Sequence, residues 1–263
     1  MNQPLKIAIV QLDIANGDKQ ANILSIADKL HRVEKDTDLV VLPELCTTGF
    51  LLDTEAMETL AEPASGLTMD TMYRYAQVFN MAICGSFIAK VGTRYYNRGF
   101  FIEPSGEDTF YDKRHLFSLS NEARFFSPGE SACPVIRFRG WNINMVICYD
   151  MRFPAWCRNK ENSYDILVVP ANWPTSRVYA WRQLAIARAI ENQCFVIGAN
   201  RMGSDEFGTY PGDSIIVDYV GHPVGRYNVE DGIVYATFTK DGMESLRAKF
   251  PVWKDADRIE IVD

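Results

Sequence analysis

The sequence predicts an α/β (α+β layered) fold in which helices cover β-sheets. Short apolar strands alternate with amphipathic helical segments along the 263-residue chain, and this alternation is typical of layered domains. Some strands are apolar throughout, as expected where both faces of a sheet are covered. Because no internal repeat, low-complexity tract or Pro/Gly-rich linker divides the chain, we expect one domain over residues 1–263.

The first half of the chain is predicted to supply strands, two helices and a hairpin. Residues 21–35 place Ile23, Ile26 and Leu30 at helical spacing, with charged residues on the opposite face. Residues 95–113 flank the turn sequence PSGED, which predicts a hairpin. The other predicted elements of this half are strands at 6–12, 37–44 and 81–90 and a helix at 68–80.

The second half is built around a predicted helix over residues 180–193, which is rich in Ala and Leu and contains no helix breaker. Strands are predicted at 141–150, 165–173, 194–201, 213–220 and 232–239, with a helical turn within 156–164. The charged tail from about residue 243 carries Phe250, Val252 and Trp253, and we expect it to pack on a neighbouring surface.

Charge and hydropathy argue against several kinds of partner. The net charge of −7 disfavours a nucleic-acid partner, because phosphate binding needs a basic stripe and the longest basic clusters are pairs. No apolar run approaches the roughly 18 residues that span a bilayer, and the N-terminus lacks the features of a secretory signal. We therefore expect no nucleic-acid partner, no membrane partner and a cytoplasmic location.

Several common cofactor and nucleophile motifs are missing from the sequence. There is no GxSxG elbow, no phosphate-binding GxxxxGK[ST] loop and no GxGxxG dinucleotide fingerprint. The three histidines are far apart, and the six cysteines form no CxxC pair. We expect no metal, no cofactor and no disulfide scaffold, and we interpret most cysteines as small buried apolar residues.

Three reactive side chains each come where a predicted strand ends: Glu44, Lys113 and Cys148. A base converts a nearby thiol to the nucleophilic thiolate, and a fixed ammonium stabilises the oxyanion of acyl transfer. Each residue also has a simpler interpretation, as a structural cysteine, a solvated loop glutamate or a surface lysine. His115 leaves a Cys–His hydrolase open as well. Composition and spacing do not choose between these interpretations.

The segments around these residues resemble the nitrilase (carbon–nitrogen hydrolase) superfamily. LPELCTTGF (42–50) is similar to the glutamate segment of that superfamily, YDKRHLF (111–117) to its lysine segment and VICYDMRFP (146–154) to its cysteine segment. The likeness continues through SNEARFFSPG (120–129), ANWP (171–174), RAIENQCFVIGANRMG (188–203) and GDSIIVD (212–218). Within the superfamily, YDKRHLF, CYDMRFP followed by ANWP, and the late KFPVWKDAD most resemble the bacterial omega-amidase (2-oxoamide amidase) group.

The resemblance implies a four-layer α-β-β-α sandwich, a homodimer or higher homo-oligomer, and catalysis without a cofactor. It implies a small-molecule amide substrate, namely an omega-monoamide of a 2-oxodicarboxylate such as 2-oxoglutaramate or 2-oxosuccinamate. Hydrolysis through a thioester on a cysteine would yield the 2-oxo acid and ammonia. The resemblance does not rank one oxoamide above the other.

The resemblance also assigns roles to residues. It implies that Cys148 is the nucleophile and Glu44 the base, that Lys113 and the backbone N–H of Tyr149 hold the oxyanion, and that Glu122 orients the lysine. The alternative for Glu122 is a charge at a helix N-terminus.

Substrate binding is expected to involve four further residues. Arg152 is the candidate for the substrate carboxylate, because a guanidinium binds a carboxylate through two hydrogen bonds and carbamoylase relatives use an arginine at that offset. A structural ion pair is the alternative for Arg152. Asn172, Trp173 and Phe117 are expected to line the same pocket, although each would also suit a packed core.

Two rival functions share much of this pattern. An N-carbamoyl amino acid hydrolase or an aliphatic amidase of the same superfamily would have the same reactive residues and a different pocket, and a true nitrilase fits the motifs less well. From another class, a non-catalytic binding or scaffold protein would keep the fold. The presence of all three reactive residues argues against the scaffold.

Overall fold

The computed structural model describes residues 3–261. Its helices are α1 (Lys19–Arg32), α2 (Thr54–Leu60), α3 (Leu67–Phe79), α4 (Val178–Asn192) and α5 (Asp241–Lys249). Its strands are β1 (Leu5–Val10), β2 (Leu39–Val41), β3 (Ala82–Val91), β4 (Arg94–Ile102), β5 (Asp108–Asp112), β6 (Ile136–Phe138), β7 (Trp141–Met145), β8 (Ile166–Ala171), β9 (Phe195–Asn200), β10 (Met202–Asp205), β11 (Gly208–Pro211), β12 (Ile215–Val217), β13 (Arg226–Asn228) and β14 (Ile233–Phe238). No helix within this range is long and apolar enough to cross a membrane.

The strands form two mixed sheets and a small hairpin. The first sheet has seven strands in the order β13-β14-β1-β2-β3-β4-β5, with β1, β2 and β3 parallel. The second sheet has five strands in the order β12-β9-β8-β7-β6, with β7, β8 and β9 parallel. Strands β10 and β11 form a two-stranded hairpin.

The two sheets pack face to face, and helices cover their outer faces. Leu5, Ile7 and Ile9 of β1 belong to the core between the sheets, while Ala8 and Val10 pack with the apolar faces of α1 and α3. Helix α4 covers the outer face of the second sheet in the same way. Strands buried on both faces need apolar residues throughout, which explains the continuous apolar runs. The predicted four-layer α-β-β-α sandwich is confirmed.

The strand predicted over residues 141–150 was too long, and the structure shows why. It ends at Met145, and a 3-10 turn runs over Cys148–Arg152. The carboxylate of Asp150 accepts the backbone N–H of Ile147 at 3.0 Å and so turns the chain away from the sheet. The apolar run continues past the strand because Val146 and Ile147, which link it to the turn, are buried. Hydropathy alone therefore does not separate the end of the strand from the start of the turn.

Short elements escaped the sequence prediction: α2, α5, β6, β13 and the β10–β11 hairpin are each too brief for a periodic pattern. The tail that was expected from about residue 243 begins within α5 and continues through a 3-10 turn at Val252–Asp255. The amide Nε2 of Gln193 donates to the carbonyl of Phe250 at 2.9 Å. Residues 262 and 263 of that tail lie outside the described range.

The topology brings the ends of several strands to one edge. Strands β2 and β5 run in the same direction, because β2 is parallel to β3 and two antiparallel pairings separate β3 from β5. Their carboxyl ends therefore lie at the same edge, where Glu44 and Lys113 follow. The loop after β8 reaches this edge too, because the backbone N–H of Asn172 donates to Glu44. Cys148, which follows β7, lines the same cavity as Glu44 and Lys113. Such edges are where layered α/β folds collect ligands.

Candidate active site

Glu44 is buried and fully engaged by hydrogen bonds. Its side chain is 1% exposed. Oε1 accepts from Lys113 Nζ at 2.8 Å and from Asn97 Nδ2 at 2.7 Å, and Oε2 accepts from the backbone N–H of Asn172 at 2.9 Å. Leu45, the next residue, has a φ of 48°, a region that non-glycine residues rarely adopt, and its N–H donates to Ser86 Oγ at 2.7 Å. The strained turn is thus held in place and fixes the carboxylate.

Lys113 lies between two carboxylates. Its Nζ is 3.0 Å from both Oε1 and Oε2 of Glu122, in addition to its bond to Glu44. Glu122 Oε2 also accepts from the backbone N–H of Phe117 at 2.6 Å. Burial lowers the pKa of Lys113, but the charges of Glu122 and Glu44 outweigh it and leave that pKa well above its usual range. The ammonium therefore stays charged at neutral pH and is available to stabilise a negative charge.

Glu122 contacts Lys113 on the side away from the cavity: it is completely buried and does not line the cavity. Burial raises its pKa, the ammonium of Lys113 lowers it, and the net direction is upward. Removing one partner of a buried ion pair costs about 3–5 kcal/mol because the other charge is left without compensation. The lysine is thus held by a second carboxylate as well as by Glu44.

Cys148 opens the 3-10 turn in a left-handed conformation, with a φ of 46°. Such strain in a non-glycine residue costs about 1–3 kcal/mol and concentrates at functional sites. Burial and the charge of Glu44 raise the pKa of the thiol well above its usual range, and Lys113 offsets only part of that rise. The resting thiol is therefore neutral, and a base is needed to convert it to the reactive thiolate.

A cavity of about 220 Å³ opens onto these groups. Its walls include all of the residues predicted for the site except Glu122. The predicted residues that line it are Glu44, Lys113, Phe117, Cys148, Tyr149, Arg152, Asn172 and Trp173. Residues that the sequence did not indicate line it too, among them Phe50, Arg177, Phe207 and Tyr210.

The predicted binding residues occupy distinct positions on this cavity. The guanidinium of Arg152 lies 4.7 Å from the ring centre of Trp173, and Arg152 forms no ion pair with any residue in 3–261. The structural ion pair considered for Arg152 is thus not seen in this range. Phe117 packs edge-on against Tyr149 at 5.1 Å. The side-chain amide of Asn172 is buried and has no hydrogen-bond partner among the described residues, so the contribution of Asn172 to the cluster comes from its backbone N–H.

His115, which left a Cys–His hydrolase open, contacts the 3-10 turn over Cys148–Arg152, called the Cys148 turn below. Its Nδ1 is 2.8 Å from Asp150 Oδ1, and its ring stacks on Phe153 at 3.8 Å. It is not among the residues that line the cavity. No group of three or more His, Cys, Asp or Glu residues between positions 3 and 261 is arranged to hold a metal ion.

Two residues of the site gave no signal in the sequence. Asn97 lies in the middle of β4, where its amide reaches Glu44 at 2.7 Å and Glu122 at 3.5 Å. Asp150 accepts hydrogen bonds from the backbone N–H of Ile147, directly before Cys148, and from that of His115, two residues after Lys113. The contacts of Asn97 with Glu44 and of Asp150 with His115 join segments distant in sequence, so local patterns do not reveal them.

Comparison with known proteins identifies relatives over almost the whole chain. The carbon–nitrogen hydrolase family model matches residues 6–248. Omega-amidase YafV of Escherichia coli (strain K12) is 37% identical over 263 residues, which cover 98% of each chain. The 2-oxoglutaramate amidase of Bacillus subtilis (strain 168) is 32% identical over 252 residues, covering 95% of this chain and 96% of the relative.

Solved structures also match the chain over nearly its whole length. XC1258 from Xanthomonas campestris, described as a CN-hydrolase superfamily protein with an arsenic adduct in its active site, superposes with a TM-score of 0.92 at 34% identity. The match covers 99% of this chain and 100% of XC1258. Nit3 of Saccharomyces cerevisiae, described as a member of branch 10 of the nitrilase superfamily, gives a TM-score of 0.83 at 25% identity over 95% of each chain.

Proposed function

The chain belongs to the carbon–nitrogen hydrolase family, and from that premise we propose that it hydrolyses the omega-amide of small 2-oxodicarboxylate monoamides to the 2-oxo acid and ammonia. It is an amidase acting on linear amides, with relatives named omega-amidase and 2-oxoglutaramate amidase that align over nearly their full length. One observation carries the mechanism: a buried lysine held between two carboxylates at 2.8 and 3.0 Å, beside a cysteine on the same cavity.

The first half of the proposed reaction forms a thioester. Glu44 takes the thiol proton of Cys148 as its sulfur attacks the amide carbon, because burial keeps the free thiol neutral until then. The ammonium of Lys113 and the backbone N–H of Tyr149 stabilise the oxyanion that forms. Glu44 then returns the proton to the amide nitrogen, the carbon–nitrogen bond breaks, and ammonia leaves.

The second half releases the acid. Glu44 removes a proton from water, whose oxygen attacks the thioester carbon, and the same oxyanion groups stabilise the second tetrahedral intermediate. The carbon–sulfur bond breaks, the sulfur of Cys148 recovers its proton from Glu44, and the 2-oxo acid leaves. One carboxylate thus serves twice, and Lys113 does not act as the base because its pKa lies well above neutrality.

Recognition of the substrate carboxylate is assigned to Arg152. Support comes from its position on the cavity and from the absence of an ion-pair partner within residues 3–261. A guanidinium without an internal partner offers two parallel hydrogen bonds to a carboxylate. Arg152→Ala is expected to weaken amides that bear a carboxylate and to leave a neutral amide almost unaffected. Equal loss on both substrates would reject the role.

The deciding experiment measures ammonia release from 2-oxoglutaramate, 2-oxosuccinamate, glutamine, an N-carbamoyl amino acid and a simple nitrile. Turnover confined to the two oxoamides supports the proposal. Turnover of the carbamoyl compound or the nitrile in place of the oxoamides keeps the mechanism but assigns the substrate to another branch of the family. Silence across the panel revives the scaffold interpretation, whereas activity that survives in Cys148→Ala contradicts the thiol mechanism.

Three further expectations from the sequence stay proposals: a single domain, a homodimer and a cytoplasmic location. Sedimentation of the purified protein tests the dimer, since a monomer at micromolar concentration would contradict it.

A further inference from the structure

The cavity holds a second arginine that the sequence did not indicate. Arg177 ends the 3-10 turn Thr175–Arg177 directly before α4, is exposed to solvent and lines the cavity. Its guanidinium lies 5.0 Å from the ring centre of Phe117, much as that of Arg152 lies 4.7 Å from Trp173. The same cavity therefore carries two guanidinium groups, each placed over an aromatic ring.

These two arginines differ from the buried arginines of the same protein. Arg188 is paired with Glu191 at 2.8 Å, and Arg201 with Asp205 at 2.9 Å. Neither Arg152 nor Arg177 forms an ion pair with a residue in 3–261, although the chain has 34 acidic residues and a net charge of −7. Two like charges on one cavity favour an anion brought from outside.

One residue, Trp173, contacts both arginines. Trp173 donates its indole Nε1–H to the backbone carbonyl of Arg177 at 2.9 Å, and the guanidinium of Arg152 lies over its ring. The backbone N–H of Trp173 is fixed by Asn200 Oδ1 at 2.7 Å. An arginine on an aromatic face keeps its N–H edge available for a planar acceptor. The backbone of Arg177 and the aromatic ring beneath Arg152 are thus fixed before any ligand arrives, which lowers the entropic cost of binding.

We propose that Arg177 and Arg152 together bind the 2-oxo acid end of the substrate, and that Arg177 sets the preference for 2-oxo acids over amino acids. The inference rests on the proposed function. A 2-oxo acid presents a carboxylate and an adjacent carbonyl oxygen, which are acceptors for two guanidinium groups. Glutamine carries an ammonium in place of that carbonyl, and a second guanidinium repels it. Repulsion of the wrong substrate contributes to specificity alongside attraction of the right one.

The test compares Arg177→Gln and Arg177→Lys with native enzyme, and uses Arg74→Gln on α3 as a control that removes an exposed charge outside the cavity. In Arg177→Gln we expect the KM for 2-oxoglutaramate to rise about 10- to 100-fold, the range for a lost charged hydrogen bond, with kcat within about threefold. The KM for butanamide, which lacks the acid end, is expected to stay within about twofold. The ratio of kcat/KM for 2-oxoglutaramate over glutamine should fall at least about tenfold.

Arg177→Lys separates charge from shape. It should still reject glutamine, because the charge remains, while the KM for 2-oxoglutaramate rises because the guanidinium fork is lost. An unchanged KM for 2-oxoglutaramate in Arg177→Gln overturns the inference, and so does an equal loss on butanamide, which would indicate a structural role.

A measurement on the native enzyme tests the inference even if the variants fail to fold. Competitive inhibition by 2-oxobutyrate is expected to be at least about tenfold stronger than inhibition by 2-aminobutyrate. Equal inhibition by the two overturns the inference. If native enzyme leaves 2-oxoglutaramate intact, the proposed function itself is wrong; if it hydrolyses that amide and Arg177→Gln behaves like native enzyme, only this inference falls.

Discussion

Replacement of Asp150 by Asn tests how the Cys148 turn (the 3-10 turn over Cys148–Arg152) is held in place. Asp150 is fully buried, and each of its oxygens accepts two hydrogen bonds. Oδ1 takes the backbone N–H of His115 and its ring Nδ1, both at 2.8 Å. Oδ2 takes the backbone N–H of Ile147 at 3.0 Å and the hydroxyl of Tyr111 at 2.7 Å. One carboxylate thus ties the turn that begins at Cys148 to the loop that follows Lys113.

The magnitude follows from counting acceptors. Asn has the same shape but only one oxygen, so its NH2 group must replace either Oδ1 or Oδ2. In either orientation the NH2 group faces a backbone N–H, that of His115 or that of Ile147, and this one donor is left without an acceptor. The second partner at each position, His115 Nδ1 or the Tyr111 hydroxyl, can instead accept from the NH2 group. An unsatisfied buried donor costs about 1–3 kcal/mol, so we expect Asp150→Asn to lower the free energy of unfolding by that amount.

Urea denaturation gives the free energy of unfolding, and steady-state kinetics with 2-oxoglutaramate give kcat. Because a displaced nucleophile loses its alignment with the substrate, we expect kcat to fall at least about tenfold. Asp257→Asn is the matched control, since Asp257 is exposed in the C-terminal segment, and it should change neither quantity. An Asp150→Asn protein with the unfolding free energy and kcat of native enzyme would refute the positioning role.

Two further predictions concern the reactive cluster and its scaffold. Since burial and then the charge of Glu44 raise the pKa of Cys148, Glu44→Gln is expected to shift the pH profile of Cys148 alkylation by iodoacetamide to lower pH; a shift to higher pH contradicts this. A Cβ at Gly129 would lie 2.0 Å from the carbonyl oxygen of Asp112, so Gly129→Ala should lower the free energy of unfolding by roughly 1–3 kcal/mol. Urea denaturation checks this second change, and an unchanged midpoint would count against it.

The fold was predictable because its long elements carry their pattern locally. Helix α4 and strands β1 and β8 were predicted at nearly their observed positions. The two strands are buried along almost their whole length and are apolar throughout, and α4 is long enough for its residue preferences to show. The sequence did not order the strands, because pairing depends on contacts between distant segments. Elements of three to nine residues such as β6, β13 and α5 were missed, because a few residues do not establish a period.

The candidate site divides in the same way. Glu44, Lys113 and Cys148 were proposed because each comes where a predicted strand ends and lies in a segment that resembles a family motif, and the structure places them around one cavity. Their supports were not predictable residue by residue. Asn97 sits in β4, where its neighbours give no sign that its amide meets two carboxylates. Arg177 is exposed and looks like any surface arginine until the cavity is visible.

The electrostatics of the site separate binding from reactivity. The thiol of Cys148 has its pKa raised, so the resting cavity holds a neutral sulfur beside the Glu44 carboxylate. A thiolate that existed before substrate arrived would react with any small electrophile that entered. In the proposed mechanism the thiolate develops only as the sulfur attacks an amide whose oxygen Lys113 stabilises. In the same proposal Arg152 and Arg177 act earlier, because they bind the acid end of the substrate before any bond changes. Discrimination among amides should therefore appear mainly in KM, whereas changes in the Glu44–Lys113 cluster should appear mainly in kcat.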